Sequence, residues 1–193
     1  MSDFKTYFNH GNMVGLACDE GLVLATNSRD HLLYHLDDSI FLCAPRSANN
    51  RDKILQVCAQ VEYITRDLGQ TITVDQVQDM LSWKYKDEDS VYTLTAGQDG
   101  SGLHIYSLKS SKGSRKVMYA VRGTEEDDIL SYLLEHWRQD LKLSEAEQLV
   151  RDLLKLNGND YLDLCVIYKA EEKEFSDGPQ MQAIEGFDEN GSD

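Results

Sequence analysis

The segment from Asn12 to Arg29 constrains this chain most. It holds two short strands, small and apolar on both faces, joined by Asp19-Glu20-Gly21, and the second strand runs out into Asn27-Ser28-Arg29. A glycine at the turn can take φ > 0 without a Cβ clash, so the pair reads as a tight hairpin. A strand that is apolar on both faces needs cover on both sides. The hairpin therefore belongs inside a layered fold rather than at a wet surface.

The rest of the chain supplies the cover. Apolar runs at Leu32–Leu36 and Ser39–Ala44 flank an Asp37-Asp38 turn, and Pro45 closes the second run. Ile54, Val57, Cys58, Val61, Ile64 and Leu68 recur at helical spacing and predict a helix from Asn49 to Leu68, stopped by Gly69. Thr73 and Gln76 have the spacing of a capping box, with Ile72 and Val77 as its staple and Val74, Met80 and Leu81 extending the buried stripe. Strands follow at Val91–Gln98 and Leu103–Leu108, joined by Asp99-Gly100-Ser101-Gly102. A polar, basic turn at Lys109–Arg115 leads into a strand at Lys116–Val121. One further helix begins after Thr124 and carries Ile129, Leu130, Leu133, Leu134 and Trp137. Another begins at Ser144 with Glu147 as capping partner, carries Leu149, Val150, Leu153, Leu154 and Leu156, and stops at Asn157-Gly158. Asp163–Lys169 reads as a last buried strand. Strands, two helices, strands, two helices and a strand give an α+β fold, a four-layer αββα sandwich in which each sheet is roofed by a helix pair.

Charge narrows the partners. Lysine and arginine number 19 against 34 aspartates and glutamates, a formal net charge of -15. That field disfavours nucleic acid and anionic membranes and favours basic partners. No apolar run is long enough to span a bilayer, and Met-Ser-Asp-Phe-Lys is not a signal peptide, so an intracellular chain is expected. Cys18, Cys43, Cys58 and Cys165 lie singly in apolar segments, without the spacing of a metal knuckle, and read as small hydrophobes in a reducing compartment. From about Ser176 onward the chain turns polar and acidic.

The hairpin Gly15…Gly21-Leu-Val-Leu-Ala…Ser28-Arg29 resembles the first hairpin of the proteasome β-subunit family. So, in the same order, do Ile40-Phe-Leu-Cys-Ala44 before the first helix, Leu81-Ser-Trp-Lys-Tyr85, Ala96-Gly97-Gln98-Asp99 and Asp163-Leu-Cys-Val-Ile167. The resemblance implies an N-terminal nucleophile hydrolase fold over residues 11–170, an uncleaved extension at 1–10 and an acidic extension at 171–193. It implies assembly with other proteasome α- and β-type subunits in a heteroheptameric ring stack in the cytoplasm and nucleus, and no cofactor. Active members use a threonine at the start of the first strand, whose own α-amine is the base, with a lysine held by an aspartate beside it.

Matched residue by residue, this chain departs from that set. The threonine position falls on Gly11 and the aspartate position on Asn27. No lysine occurs between Lys5 and Lys53, where the family's lysine belongs. In Arg122-Gly123-Thr124-Glu125-Glu126, Thr124 matches a serine of the family's glycine–serine turn, and two acids follow it. Lys155–Asp160 lacks the supporting serine. With residues 1–10 expected to stay as an uncleaved extension, Gly11 is expected to have no free amine. The expectation is a subunit without catalysis, working as part of the ring wall while the assembly degrades protein. Two alternatives stay open: a hydrolase with another nucleophile, Cys18 or Thr26, and a free-standing binding protein on the same fold.

Other features have ordinary readings. Glu125-Glu126-Asp127-Asp128 lacks calcium-loop spacing and suits the first turn of a helix. His31 and His35 lie in a strand segment, outside any His-Glu-x-x-His pattern. The Gly97–Gly102 cluster reads as a hairpin turn. Lys109, Lys112, Arg115 and Lys116 make a basic patch that is either a solvated turn or a contact to an acidic neighbouring subunit.

Overall fold

A computed structural model describes residues 11–88, 90–155 and 161–170. The first hairpin is β1 (Asn12–Cys18) and β2 (Gly21–Thr26), with Cys18 opposite Gly21 and Met13 opposite Thr26. Every residue of both strands is buried. Gly21 serves a purpose other than the expected one: its φ is not positive. A Cβ there would lie 2.3 Å from the Ile167 carbonyl oxygen, so glycine is required by the close passage of another strand.

The remaining strands are β3 (His31–Asp37), β4 (Ile40–Pro45), β5 (Tyr92–Asp99), β6 (Gly102–Lys109), β7 (Gly113–Val117), β8 (Tyr119–Gly123) and β9 (Asp163–Tyr168). Among the described residues they form two antiparallel sheets, a four-stranded one ordered β8-β1-β2-β9 and a five-stranded one ordered β3-β4-β5-β6-β7. Between them lies an apolar layer that includes Met13, Leu22, Leu24, Cys43, Leu94, Ala96 and Ile105. Helices α1 (Ala48–Glu62) and α2 (Val74–Tyr85) roof the five-stranded sheet through Ile54, Val57, Val61, Val77 and Leu81. Helices α3 (Glu126–His136) and α4 (Leu143–Lys155) roof the other through Ile129, Leu133, Val150 and Leu153. The molecule is an αββα sandwich. No helix among the described residues is long and apolar enough to cross a membrane.

Local chemistry explains most boundaries. Ser47 caps α1 by accepting the Asn50 N–H, so the helix starts just ahead of Asn49. It does not run unbroken to Leu68, because Tyr63–Asp67 widens into a π-helical turn, with Thr65 Oγ1 donating to the Val61 carbonyl. Gly69 then turns the chain at φ +60°. Leu68, assigned to the buried stripe, is exposed, as is Leu134 on α3. The capping box is present, with Thr73 N–H donating to Gln76 Oε1 at 2.9 Å and Gln76 N–H to Thr73 Oγ1 at 3.2 Å.

Two boundaries differ from expectation. The last helix starts at Leu143, so Ser144 lies inside it and Glu147 bonds Arg151 instead of capping. The caps are Glu145, which accepts Lys142 N–H, and Glu20 in the first hairpin's turn, which accepts Leu143 N–H at 2.8 Å. The predicted strand Lys116–Val121 is two strands. Met118 separates β7 in one sheet from β8 in the other, and the polar turn ends by Gly113, leaving Arg115 and Lys116 in β7. Met118 holds the corner by accepting Ala17 N–H at 2.7 Å. Leu156, Asn157 and Gly158, and the extensions at 1–10 and 171–193, lie outside the described residues.

Candidate functional site

The ends of β1, β2 and β8 converge, and they bring together Gly11, Asn27 and Thr124, the three positions matched through the resemblance. Asn12 pairs with Gly123, Asn27 N–H donates to the Asn12 carbonyl at 3.2 Å, and Thr124 N–H donates to the Gly11 carbonyl at 3.3 Å. Gly11 sits at φ +127°, where side-chain-bearing residues are strained. A Cβ on it would lie 2.2 Å from Ser28 Cβ and 3.1 Å from Asn27 Oδ1. Gly123, at φ +148°, is equally constrained, since its Cβ would meet the Gly11 carbonyl oxygen at 2.2 Å. Three chain segments thus cross with no room for a side chain at either glycine.

Asn27 is buried and ties the crossing to the helical layer. Its Oδ1 accepts Asn12 N–H at 2.7 Å, and its Nδ2 donates to the Leu154 carbonyl at 2.9 Å, near the end of α4. The second bond needs an amide donor, which an aspartate does not have. Thr124 itself is exposed.

Sequence reasoning missed several partners here. Asn12, the polar start of an apolar strand, donates from Nδ2 to Glu125 Oε2 at 2.9 Å and accepts Glu125 N–H at 3.0 Å. Arg122 donates to Glu126 at 2.6 Å and to Ser107 Oγ at 2.7 Å, and its buried Nε has no partner among the described residues. The acids after Thr124 are therefore engaged locally, and Glu126, Asp127 and Asp128 occupy the favourable first turn of α3.

Ser28 and Thr26 are the nearby buried hydroxyls. Ser28 Oγ accepts Asp30 N–H at 3.1 Å and closes the turn after β2. Thr26 Oγ1 lies 2.9 Å from His31 Nδ1, a hydroxyl–imidazole pair that the sequence did not reveal. Both residues are 0% exposed. Burial, opposed by the Asp30 charge, lowers the His31 pKa from 6.5 to about 4, so the ring is neutral at ordinary pH. Cys18 is also buried and donates from Sγ to the Gly21 carbonyl at the far end of the hairpin.

The other candidates fall elsewhere. His35 packs against the Phe41 ring at 4.9 Å. The Gly97–Gly102 cluster is the β5–β6 turn. Burial opposes ionisation of Asp99, yet donors from Ser101, Val74 N–H and His104 hold its pKa at about 2. Lys109, Lys112, Arg115 and Lys116 are exposed along the β6–β7 turn and β7, apart from the crossing. All four cysteines are free.

A relative of known type is the proteasome subunit beta type-2 of Saccharomyces cerevisiae. It is 22% identical over 185 residues, covering 84% of this chain and 70% of that protein. The family model for proteasome subunits matches residues 8–160, most of the sandwich described above. The chain belongs to the proteasome subunit family.

Proposed function

We propose that this chain is a non-catalytic β-type subunit of the proteasome core particle, working in the cytoplasm and nucleus, where it fills a place in the ring and walls the degradation chamber. One observation carries this reading. At the position of the family's nucleophile stands a glycine whose Cβ would lie 2.2 Å from Ser28 Cβ, so that position has neither a reactive group nor space for one. The absence of an aspartate at Asn27 and its amide bond to Leu154 support it, because a lysine there would have no counter-charge. The similarity to a β type-2 subunit supports the β-type assignment.

A second reading rests on the Thr26–His31 pair, which has the hydroxyl and base of a nucleophilic centre. Its full burial weighs against it, since substrate would have no path to the oxygen. Intact-mass analysis after treatment with a threonine-directed electrophile and with an acylating inhibitor tests both. The proposal expects no adduct on this chain. A covalent adduct mapped to Thr26, Ser28 or Thr124 would replace it with the hydrolase reading.

A further inference from the structure

β7 differs from the rest of the sandwich. Four of its five residues are exposed, and only Val117 is partly covered. Among the described residues it is the free edge of the five-stranded sheet, paired on one side with β6 and open on the other. The five-stranded sheet also outreaches its partner: β1 lies over β6 and β8 over β5, and no strand of the four-stranded sheet packs over β7 as these do. Opposite residues of a ladder share a face. Arg115 is opposite Ser107, which bonds Arg122 of the other sheet, so Arg115 is on the inner, overhanging face. Lys116 is opposite Tyr106, which donates to Asp75 of α2, so Lys116 is on the helix side.

The charge along this edge is unusual for the chain. No aspartate or glutamate occurs between Asp99 and Glu125 in a protein of net charge -15. Lys53, Arg66, Arg122, Arg138 and Arg151 are paired with carboxylates. Lys109, Lys112, Arg115 and Lys116 have no such pair among the described residues, which is also true of Arg46, Arg51 and Lys142, but these four cluster in a stretch that holds no acid of its own. Lysines on an edge strand commonly serve to prevent pairing between copies. The same cations that repel a second β7 attract an extended chain of carboxylates, whose backbone can complete the open ladder.

We propose that β7 is a strand-addition site for an extended, acidic segment of a neighbouring subunit, an assignment that rests on the ring-subunit reading above. The free ladder supplies backbone donors and acceptors. Arg115 and Lys116 contribute a cation to each face, and Lys109 and Lys112 extend the field past the turn.

The test titrates three labelled peptides against the full chain by fluorescence anisotropy. They are an alternating glutamate–valine peptide, its lysine–valine counterpart, and the glutamate peptide methylated on every backbone nitrogen. Strand addition predicts binding by the first, at least tenfold weaker binding by the other two, and slowed amide exchange confined to residues 113–117. The Lys112→Glu, Arg115→Glu, Lys116→Glu variant should bind the first peptide at least tenfold more weakly. Equal binding by the lysine or methylated peptide, or by the variant, overturns the proposal. A full-length chain with the acids after Ala170 changed to amides separates another occupant: at least tenfold tighter peptide binding would assign the edge to this chain's own C-terminal segment and overturn the neighbour. Native mass spectrometry from the source cells keeps the two readings apart. A lone monomer refutes the ring subunit, whereas a large particle without peptide binding refutes only the docking strand.

Discussion

Replacing His31 by asparagine should remove about 2 kcal/mol of the chain's acid sensitivity between about pH 7.5 and about pH 5. His31 is 0% exposed at the start of β3. Its Nδ1 meets Thr26 Oγ1, its Nε2 has no partner among the described residues, and its ring stands edge-on to Tyr92 at 6.2 Å. Burial lowers its pKa from 6.5 to about 4 against the opposing Asp30 charge. The unfolded chain takes up a proton below about pH 6.5, whereas the folded chain resists until about pH 4. Stability is therefore fully present above the unfolded value and falls as pH drops through the window to the folded one. The whole window is worth about 3 kcal/mol, and about 2 kcal/mol of it is gone by about pH 5. Asparagine keeps a polar group near Thr26 and cannot protonate. Urea unfolding followed by circular dichroism, at both pH values for both proteins, isolates the difference from the carboxylates they share. Equal acid losses in the two proteins, or an imidazole titrating near its ordinary value in the folded state, would refute the reasoning.

Other substitutions test the crossing and the helix cap. Gly11→Thr should cost about 3 kcal/mol or more, from the positive φ and the contact with Ser28, and create no reactivity toward threonine-directed electrophiles. A variant as stable as wild type in urea would contradict the geometry. Asn27→Asp should cost about 2 kcal/mol, because a carboxylate keeps the Asn12 N–H but sets a lone pair against the Leu154 carbonyl. Its unfolding midpoint should fall with the slope unchanged, and an unshifted midpoint counts against the assigned bond. Thr73→Ala should cost about 1 kcal/mol by leaving Gln76 N–H uncapped, with faster amide exchange in the first turn of α2 as the local readout.

The parts of the fold legible in the sequence are those whose chemistry is local. The capping box at Thr73 and Gln76, the stripe at Ile54, Val57 and Val61, and the hairpin around Asp19-Glu20 each need only neighbouring residues to be understood. The start of α4 was obscured because one of its caps, Glu20, comes from a hairpin far away in sequence. The split at Met118 was obscured because Lys116–Val121 is one extended run, and only the sheets decide which half belongs to which. At the site, the resemblance pointed to Gly11, Asn27 and Thr124, which the fold sets at one crossing. The roles of Ser28 and Asn12 depend on where three backbones meet, and the Thr26–His31 pair forms only when β2 hands the chain to the other sheet.

The wedge between residues 11 and 28 also limits how this protein can drift over generations. Any change that adds bulk at the glycine has to wait for a smaller neighbour, yet shrinking that neighbour to glycine gives up the hydroxyl that holds Asp30 N–H. Each step alone is penalised, and the positive φ at residue 11 strains any side chain there even after the neighbour has shrunk. Substitutions at these two sites are therefore coupled, because the stability cost of one depends on the residue at the other.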